Sequence, residues 1–206
     1  MNIIPFSIRP FMVNAYIIEN EATKEAILVD PGNVSADIDQ YLEEKELSLK
    51  AILLTHAHAD HILGLQYYVD KHAVEVYVHE ADQEMLKNAD YNLSTSFQKD
   101  PFTYHKARSI QDGDRLNLAG LTIEVLHTPG HTKGGVCFVI GENILSGDTL
   151  FARSIGRFDL YGGSEATLFN SIRTKLYPLV GKTVYPGHGP TTTIDDERTK
   201  NSFVRA

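Results

Sequence analysis

The stretch Ala51-Ile52-Leu53-Leu54-Thr55-His56-Ala57-His58-Ala59-Asp60-His61 decides how this chain is read. Its first half is a short continuous apolar run, the pattern of a strand buried on both faces. Its second half sets four potential metal ligands within six residues, directly where such a strand would end. In extended backbone, residues two apart project to one side, so His56 and His58 can converge on one cation, and neutral imidazoles suit zinc or iron. Asp60 and His61 fall where the chain turns toward the following helix and can face a second cation beside the first. Two histidines do not close a metal site. Three further donors stand at or just beyond predicted strands, each directly preceded by glycine: His131 in Thr128-Pro129-Gly130-His131, Asp148 in Ser146-Gly147-Asp148-Thr149, and His188 in Tyr185-Pro186-Gly187-His188. Glycine there permits the tight backbone of a ligand loop without a side chain crowding the metal.

Outward from this segment, short β-type runs alternate with helical ones. Ala15 to Glu19 and Ala26 to Val29 read as paired strands, the second ending at Asp30-Pro31-Gly32, whose Pro-Gly pair stops a sheet. Ile38, Tyr41 and Leu42 recur at helical spacing within Asp37 to Lys45. Beyond the ligand cluster the pattern predicts a helix over Ile62 to Lys71, a strand over Val74 to Val78 and a helix over Ala81 to Asn88. The polar stretch from Ala89 to Ala107 reads as an irregular loop near the site. Strands follow over Arg115 to Leu118, Leu121 to His127, Val136 to Ile140 and Asn143 to Leu145, with turns at Gly113-Asp114 and Gly141-Glu142. Glu165 to Leu176 is predicted helical behind an N-cap at Ser164, and Thr183-Val184-Tyr185 is a last strand. The alternation predicts an α/β protein with sheets in the middle and helices outside, as one domain over 1–206.

With 42% hydrophobic and 22% charged residues, the composition is that of a protein that folds by its core, which sets aside disorder and fibrous repeats. A net charge of −8 argues against nucleic acid as a partner, because such binders present a basic surface that releases phosphate counterions. The one cysteine, Cys137 in the apolar run Val136 to Ile140, rules out an intrachain disulfide and reads as a core thiol. The N-terminus shows no basic n-region, and Pro5, Arg9 and Pro10 interrupt any apolar stretch; nothing approaches the length of a membrane span. A cytoplasmic location without membrane partners is expected. The runs Glu43-Glu44-Lys45-Glu46 and Asp195-Asp196-Glu197-Arg198 read as solvated faces. His72, His79, His105 and His127 lie outside the ligand motifs and are expected in structural or surface roles, with His105 the nearest of them to a substrate.

Taken together, Thr55-His56-x-His58-x-Asp60-His61, Pro129-Gly130-His131-Thr132, Ser146-Gly147-Asp148-Thr149-Leu150-Phe151 and Pro186-Gly187-His188 resemble the metallo-β-lactamase superfamily, and within it the glyoxalase II-like branch. The resemblance implies an αββα sandwich with the metals at one edge, where loops from both sheets meet. It also implies an assignment: His56, His58 and His131 on one metal, Asp60, His61 and His188 on the other, and Asp148 bridging. Two divalent ions are implied, zinc first, with iron or manganese as alternatives. Leu28-Val29-Asp30-Pro31-Gly32 fits the family too, in which this aspartate supports the ligand loop, so Asp30 is the candidate for holding the ligands from behind.

Two cations roughly 3.5 to 4 Å apart share a water and lower its pKa from ~15.7 toward ~7, which makes hydroxide available at neutral pH. Attack of this bridging hydroxide on a thioester, ester or lactone carbonyl is the expected chemistry, with Asp60 orienting the hydroxide and taking its proton. No Gly-x-Ser-x-Gly elbow supplies a serine nucleophile. Gly156-Arg157-Phe158 resembles the loop in which glyoxalase II carries a basic residue for a glutathione carboxylate. Here Asp159 follows where that enzyme has an aromatic residue, His188-Gly189-Pro190 replaces its histidine-glutamate-tyrosine run, and the chain stops short of its C-terminal helical domain. The chain more closely resembles short bacterial members with a Gly-Arg-x-Asp loop. Arg157 and Tyr161 are the candidate substrate contacts, set against an ion pair with Asp159 for the first and loop packing for the second. The leading expectation is a thioesterase acting on a small S-acyl-glutathione-like conjugate. A lactonase or other small-ester hydrolase shares the same ligands, and an iron-dependent persulfide dioxygenase needs only His56, His58 and His131. Secreted β-lactam hydrolysis is disfavoured by the lack of a leader and by Cys137 lying in a strand instead of serving as a ligand.

Overall fold

In the computed structural model, which describes residues 1–205, two six-stranded sheets pack face to face with helices on both outer faces. The domain span expected above, 1–206, ends on Ala206, outside the described residues. The first sheet runs in chain order through β1 (Asn2–Ile8), β2 (Val13–Asn20), β3 (Glu25–Val29), β4 (Ser48–Leu53), β5 (Glu75–His79) and β6 (Arg108–Ile110). Its first three strands are antiparallel neighbours, whereas β3 to β6 are parallel. The second sheet contains β7 (Arg115–Leu118), β8 (Leu121–His127), β9 (Val136–Ile140) and β10 (Asn143–Gly147). The hairpin β11 (Leu150–Phe151) and β12 (Ser154–Ile155) stands apart, and β13 (Thr183–Pro186) pairs parallel with β10 and antiparallel with β14 (Thr192–Thr193).

Alternation along the strands builds three buried layers. Tyr16, Ile18, Ile27, Val29 and Leu53 of the first sheet meet Ile123, Val125, Phe138 and Leu145 of the second. The opposite face of the first sheet, with Ile17, Leu28 and Ile52, packs on α1 (Ala36–Glu44) and on α3 (Leu65–His72), which follows the short α2 (Ala59–Ile62). The outer face of the second sheet, Cys137, Ile144 and Val184, is covered by Leu168 and Ile172. Those two come from a helix that starts at Glu165 and widens into a π turn over Ile172–Leu176. Central strands buried on both sides therefore read as unbroken apolar runs, and the αββα order expected from the sequence is the architecture observed.

Four local differences from the sequence reading have physical reasons. β1 is a strand despite Pro5, because it forms the sheet edge and its outward N–H positions need no partner. The helix expected from Ile62 starts three residues earlier and breaks at Gly64, whose backbone N–H turns to the Pro31 carbonyl. Glu197 is not solvated: it is fully buried and accepts from Arg153 Nη1, Thr192 Oγ1 and Asn201 Nδ2 at 2.5, 2.6 and 2.9 Å. The loop expected over Ala89 to Ala107 contains a one-turn helix, Ser94–Phe97. Ser164 caps the following helix as expected, accepting from Thr167 N.

Candidate metal centre

Every donor predicted from the sequence follows the C-terminal end of a strand. β4 feeds His56, His58, Asp60 and His61; β8, β10 and β13 lead into His131, Asp148 and His188. Because β4 is parallel to its neighbours and β10 is parallel to β13, these ends gather on one rim of the sandwich. Backbone bonds across the rim lock the loops: Val136 N donates to Thr55 O at 2.9 Å, Asn14 N to Gly187 O at 2.7 Å and Gly187 N to Gly147 O at 2.8 Å. Gly187 is required by this closeness, since a Cβ there would strike Asp148 Oδ1 and sit 2.8 Å from His61 Cε1.

The seven side chains form three overlapping groups, each with donor atoms within 4.8 Å of one another: His56, His58 and His131; His56, His61 and Asp148; and Asp60, His61 and His188. In the first, His131 Nε2 lies 2.9 Å from His58 Nδ1 and 3.2 Å from His56 Nε2. In the last, Asp60 Oδ2 is 3.3 Å from His188 Nε2 and 3.8 Å from His61 Nε2. Asp148 stands between them, with Oδ2 3.6 Å from both His131 and His188 and Oδ1 3.4 Å from His61.

A divalent cation fits this set. Among the described residues, His61 Nε2 and Asp148 Oδ1 are buried polar atoms without a hydrogen-bond partner, and both face the cluster. Native folds rarely leave such atoms unsatisfied unless an ion or water completes them. Imidazole and carboxylate together match zinc, iron or manganese more closely than magnesium or calcium. Burial holds His56 well below its ordinary pKa, helped by the imidazoles around it, and pushes His58 down to about 3, with His131 next in effect. Both are therefore in the neutral form that ligates. Burial would also lower His61, yet Asp60, Asp148 and Asp30 outweigh it and raise its pKa well above the ordinary value. Asp148 is pulled well below the usual carboxylate range, because His61, His131 and His188 overcome the opposing cost of burial.

The candidate ligands are held from behind. Asp30, at the end of β3, accepts from His61 Nδ1 at 2.9 Å, from Thr55 N at 2.8 Å and from Thr55 Oγ1 at 2.6 Å, while Thr55 Oγ1 lies 3.1 Å from His56 Nδ1. One carboxylate thus orients two imidazoles. His131 Nδ1 donates to the Arg157 carbonyl at 2.6 Å. Sequence reasoning did not single out Asp82, which is fully buried and accepts from Ala57 N, Thr132 Oγ1 and Gly134 N at 3.2, 2.8 and 2.6 Å. It staples the β4 loop to the loop after His131. Nothing in Glu80-Ala81-Asp82-Gln83 separates it from an ordinary acid in a helical first turn.

A cavity of about 330 Å³ opens over the cluster, lined by Phe11, Leu93, Phe97, Phe151 and Leu160 around His58, Asp60, His131, Asp148 and His188. Arg157 also lines it, with its guanidinium paired to Asp159. Tyr161 does not. Its ring stacks on Tyr91 at 3.8 Å, its hydroxyl donates to Glu84 Oε2 at 2.9 Å, and it accepts from Lys133 Nζ at 3.1 Å. His105 is exposed and absent from the cavity wall, whereas His79 and His127 stack on each other at 3.9 Å away from the cluster.

Fold and site together are those of a two-sheet αββα protein with a candidate centre for divalent metal. A model of the Metallo-beta-lactamase superfamily matches residues 8–188, and the chain belongs to this family. It is 34% identical over 212 residues to "Hydroxyacylglutathione hydrolase GloC" of Haemophilus influenzae, covering 100% of this chain and 99% of the relative. Among solved structures it is similar to "BLEG-1 B3 metallo-beta-lactamase", at 36% identity and a TM-score of 0.92 with 100% of both chains covered. It is also similar to "TTHA1623 in a di-iron-bound form", at 35% identity and a TM-score of 0.87, covering 98% of this chain and 100% of the other. These names span a thioester, a β-lactam class and a metal, so likeness alone does not select a substrate. No helix among the described residues is long and apolar enough to cross a membrane.

Proposed function

We propose that the protein is a binuclear metal-dependent hydrolase of small thioesters. The observation that carries this reading is the convergence of two three-donor sets on either side of Asp148, at the floor of one cavity. His56, His58 and His131 would hold one divalent ion and Asp60, His61 and His188 the other, with Asp148 between them. Zinc is the first candidate and iron the second, the latter because a similar structure at 35% identity is a di-iron-bound form. When bound, the two ions supply an acidified water as nucleophile and polarise the substrate carbonyl. Asp30 and Thr55 keep the His61 and His56 lone pairs turned inward, and the Arg157 carbonyl does the same for His131. Asp60, which lines the cavity, is the carboxylate placed to orient the water and hold its proton. Phe11, Phe97 and Phe151 limit water around the scissile bond.

A thioester is favoured over an ester or lactone by the full-length likeness to the Haemophilus protein. The decisive experiment loads the purified protein with zinc, iron or manganese, counts ions per chain, and compares S-lactoylglutathione with a simple lactone, a β-lactam and a glutathione persulfide. Two ions per chain and fastest turnover of the thioester are expected. Asp60→Ala should lose both metal and turnover. A single iron with oxygen uptake on the persulfide would replace the hydrolase by a dioxygenase, which leaves Asp60, His61 and His188 without a task.

A further inference from the structure

The loop from Gly156 to Gly163 links the metal centre to the mouth of the cavity. Its backbone is fixed at Arg157 by the bond from His131 Nδ1, and Gly156 packs where a Cβ would strike the Asp148 carbonyl. Further along, the stacking and hydrogen bonds of Tyr161 hold the loop to Tyr91, Glu84 and Lys133. Apart from the imidazoles of the metal centre, Arg157 is the one basic side chain among the lining residues. Its fork is filled from within the loop: Nε and Nη2 donate to the two carboxylate oxygens of Asp159 at 2.8 and 2.9 Å. That two-pronged geometry is the one a substrate carboxylate would need. The pair is about 60% exposed on both sides, so it adds little to stability; its consequence is for the charge of the mouth. The remaining wall is apolar and continues outward. Phe11 and Phe97 meet edge to face at 4.9 Å, and Phe97 and Met12 are 51% and 54% exposed.

We propose that the site prefers thioesters whose thiol and acyl parts are apolar and uncharged over carboxylate-bearing ones, and that Asp159 sets this preference by occupying the guanidinium fork of Arg157. The proposal rests on the hydrolase reading above and narrows its substrate class. An anionic thiol meets an arginine whose charge and fork are already matched by Asp159, whereas a ring or alkyl group meets Phe11, Leu93 and Phe97. Asp159 acts through Arg157 and is a positioning residue.

The test uses the zinc-loaded protein as wild type, Asp159→Asn and the double variant Arg157→Gln with Asp159→Asn. kcat/KM is measured for S-lactoylglutathione and for an uncharged aryl thioacetate. In Asp159→Asn the ratio of the first to the second should rise roughly three- to ten-fold, the effect of one guanidinium charge freed near solvent. The gain should appear in KM, shrink with added salt, and vanish in the double variant. Calorimetric binding of S-methylglutathione against benzyl methyl sulfide reads the same preference without turnover. A ratio unmoved by Asp159→Asn in both assays overturns the proposal, as does a wild type that already binds the glutathione thioether more tightly. No turnover of any thioester, with the binding preference intact, would strike the hydrolase reading alone.

Discussion

Asp30 is a point at which the candidate metal centre can be perturbed without touching a candidate ligand. Its carboxylate accepts three hydrogen bonds, two from Thr55 and one from His61 Nδ1, in a residue only 2% exposed. Asp30→Asn keeps the size, and asparagine tolerates the left-handed backbone here, where φ is 50°. One amide oxygen then replaces two carboxylate oxygens. If that oxygen stays with Thr55 N, the amide NH2 faces Thr55 Oγ1 and His61 Nδ1, and His61 must accept where it had donated. The proton moves to His61 Nε2, the atom that lies 3.4 Å from Asp148 Oδ1, and the lone pair needed by a cation is lost. Affinity at the Asp60, His61 and His188 set should fall roughly 10- to 100-fold, about 1.4 to 2.7 kcal/mol. Loss of a charge-assisted bond in so buried a place should also cost the metal-free fold about 1.5 to 3 kcal/mol. Competition with a chromogenic chelator, counting ions per chain, measures the first effect, and urea unfolding of the chelated protein measures the second. One tightly held ion per chain in place of two is expected. Wild-type stoichiometry and affinity in Asp30→Asn would refute the argument that this carboxylate sets the His61 tautomer.

Other perturbations probe the supports of the same rim. Gly187→Ala places a methyl against Asp148 Oδ1 and His61 Cε1, so metal content should fall sharply while far-ultraviolet circular dichroism stays native; overpacking of this kind costs about 1 to 3 kcal/mol. Asp82→Ala strands three buried donors and separates the two ligand loops, for an expected loss of about 3 to 5 kcal/mol in urea unfolding. His79 is held down to about 4, by burial first and by stacked His127 second, against 6.5 in the unfolded chain. The fold thus favours its neutral form, and this stability is present above pH 6.5 and lost as pH falls toward 4; His79→Gln should flatten the fall of the urea midpoint in that window. Chelation should lower the melting temperature, since ions at a thousand times their Kd add about 4 kcal/mol to the folded state. A melting temperature indifferent to chelator would mean that the cluster holds no ion tightly.

The convergence of the seven candidate donors was legible because these residues are chemically rare and their spacing follows strand geometry. Four donors sit in one loop, and His131, Asp148 and His188 each follow a glycine at a strand end, so the motifs carry their own structural context. The central strands were legible for a related reason: burial on both faces leaves runs such as Ala51 to Leu54 with no polar interruption. Edges and supports were less visible. β1 carries Pro5, which counts against a strand until its edge position is known, and buried Glu197 looks like any acid in a charged run because its partners Arg153, Thr192 and Asn201 are set by tertiary packing.

The cavity wall is the part of the site that stays hidden in the sequence. Phe11, Leu93, Phe97, Phe151 and Leu160 come from four separate stretches of chain, and none is unusual in its local sequence. Apolar side chains that face a substrate carry the same pattern as those that face the core, so only the fold tells them apart. The seven candidate ligands stand at or beneath the floor of the cavity, all within the span that the family model matches. On the proposal made above, what is admitted depends on this wall and on whether Arg157 meets the substrate alone or already paired with Asp159. The chain is similar both to a protein named a hydroxyacylglutathione hydrolase and to one named a B3 metallo-β-lactamase, so one fold carries more than one named activity and the substrate has to be argued from the side chains around the opening.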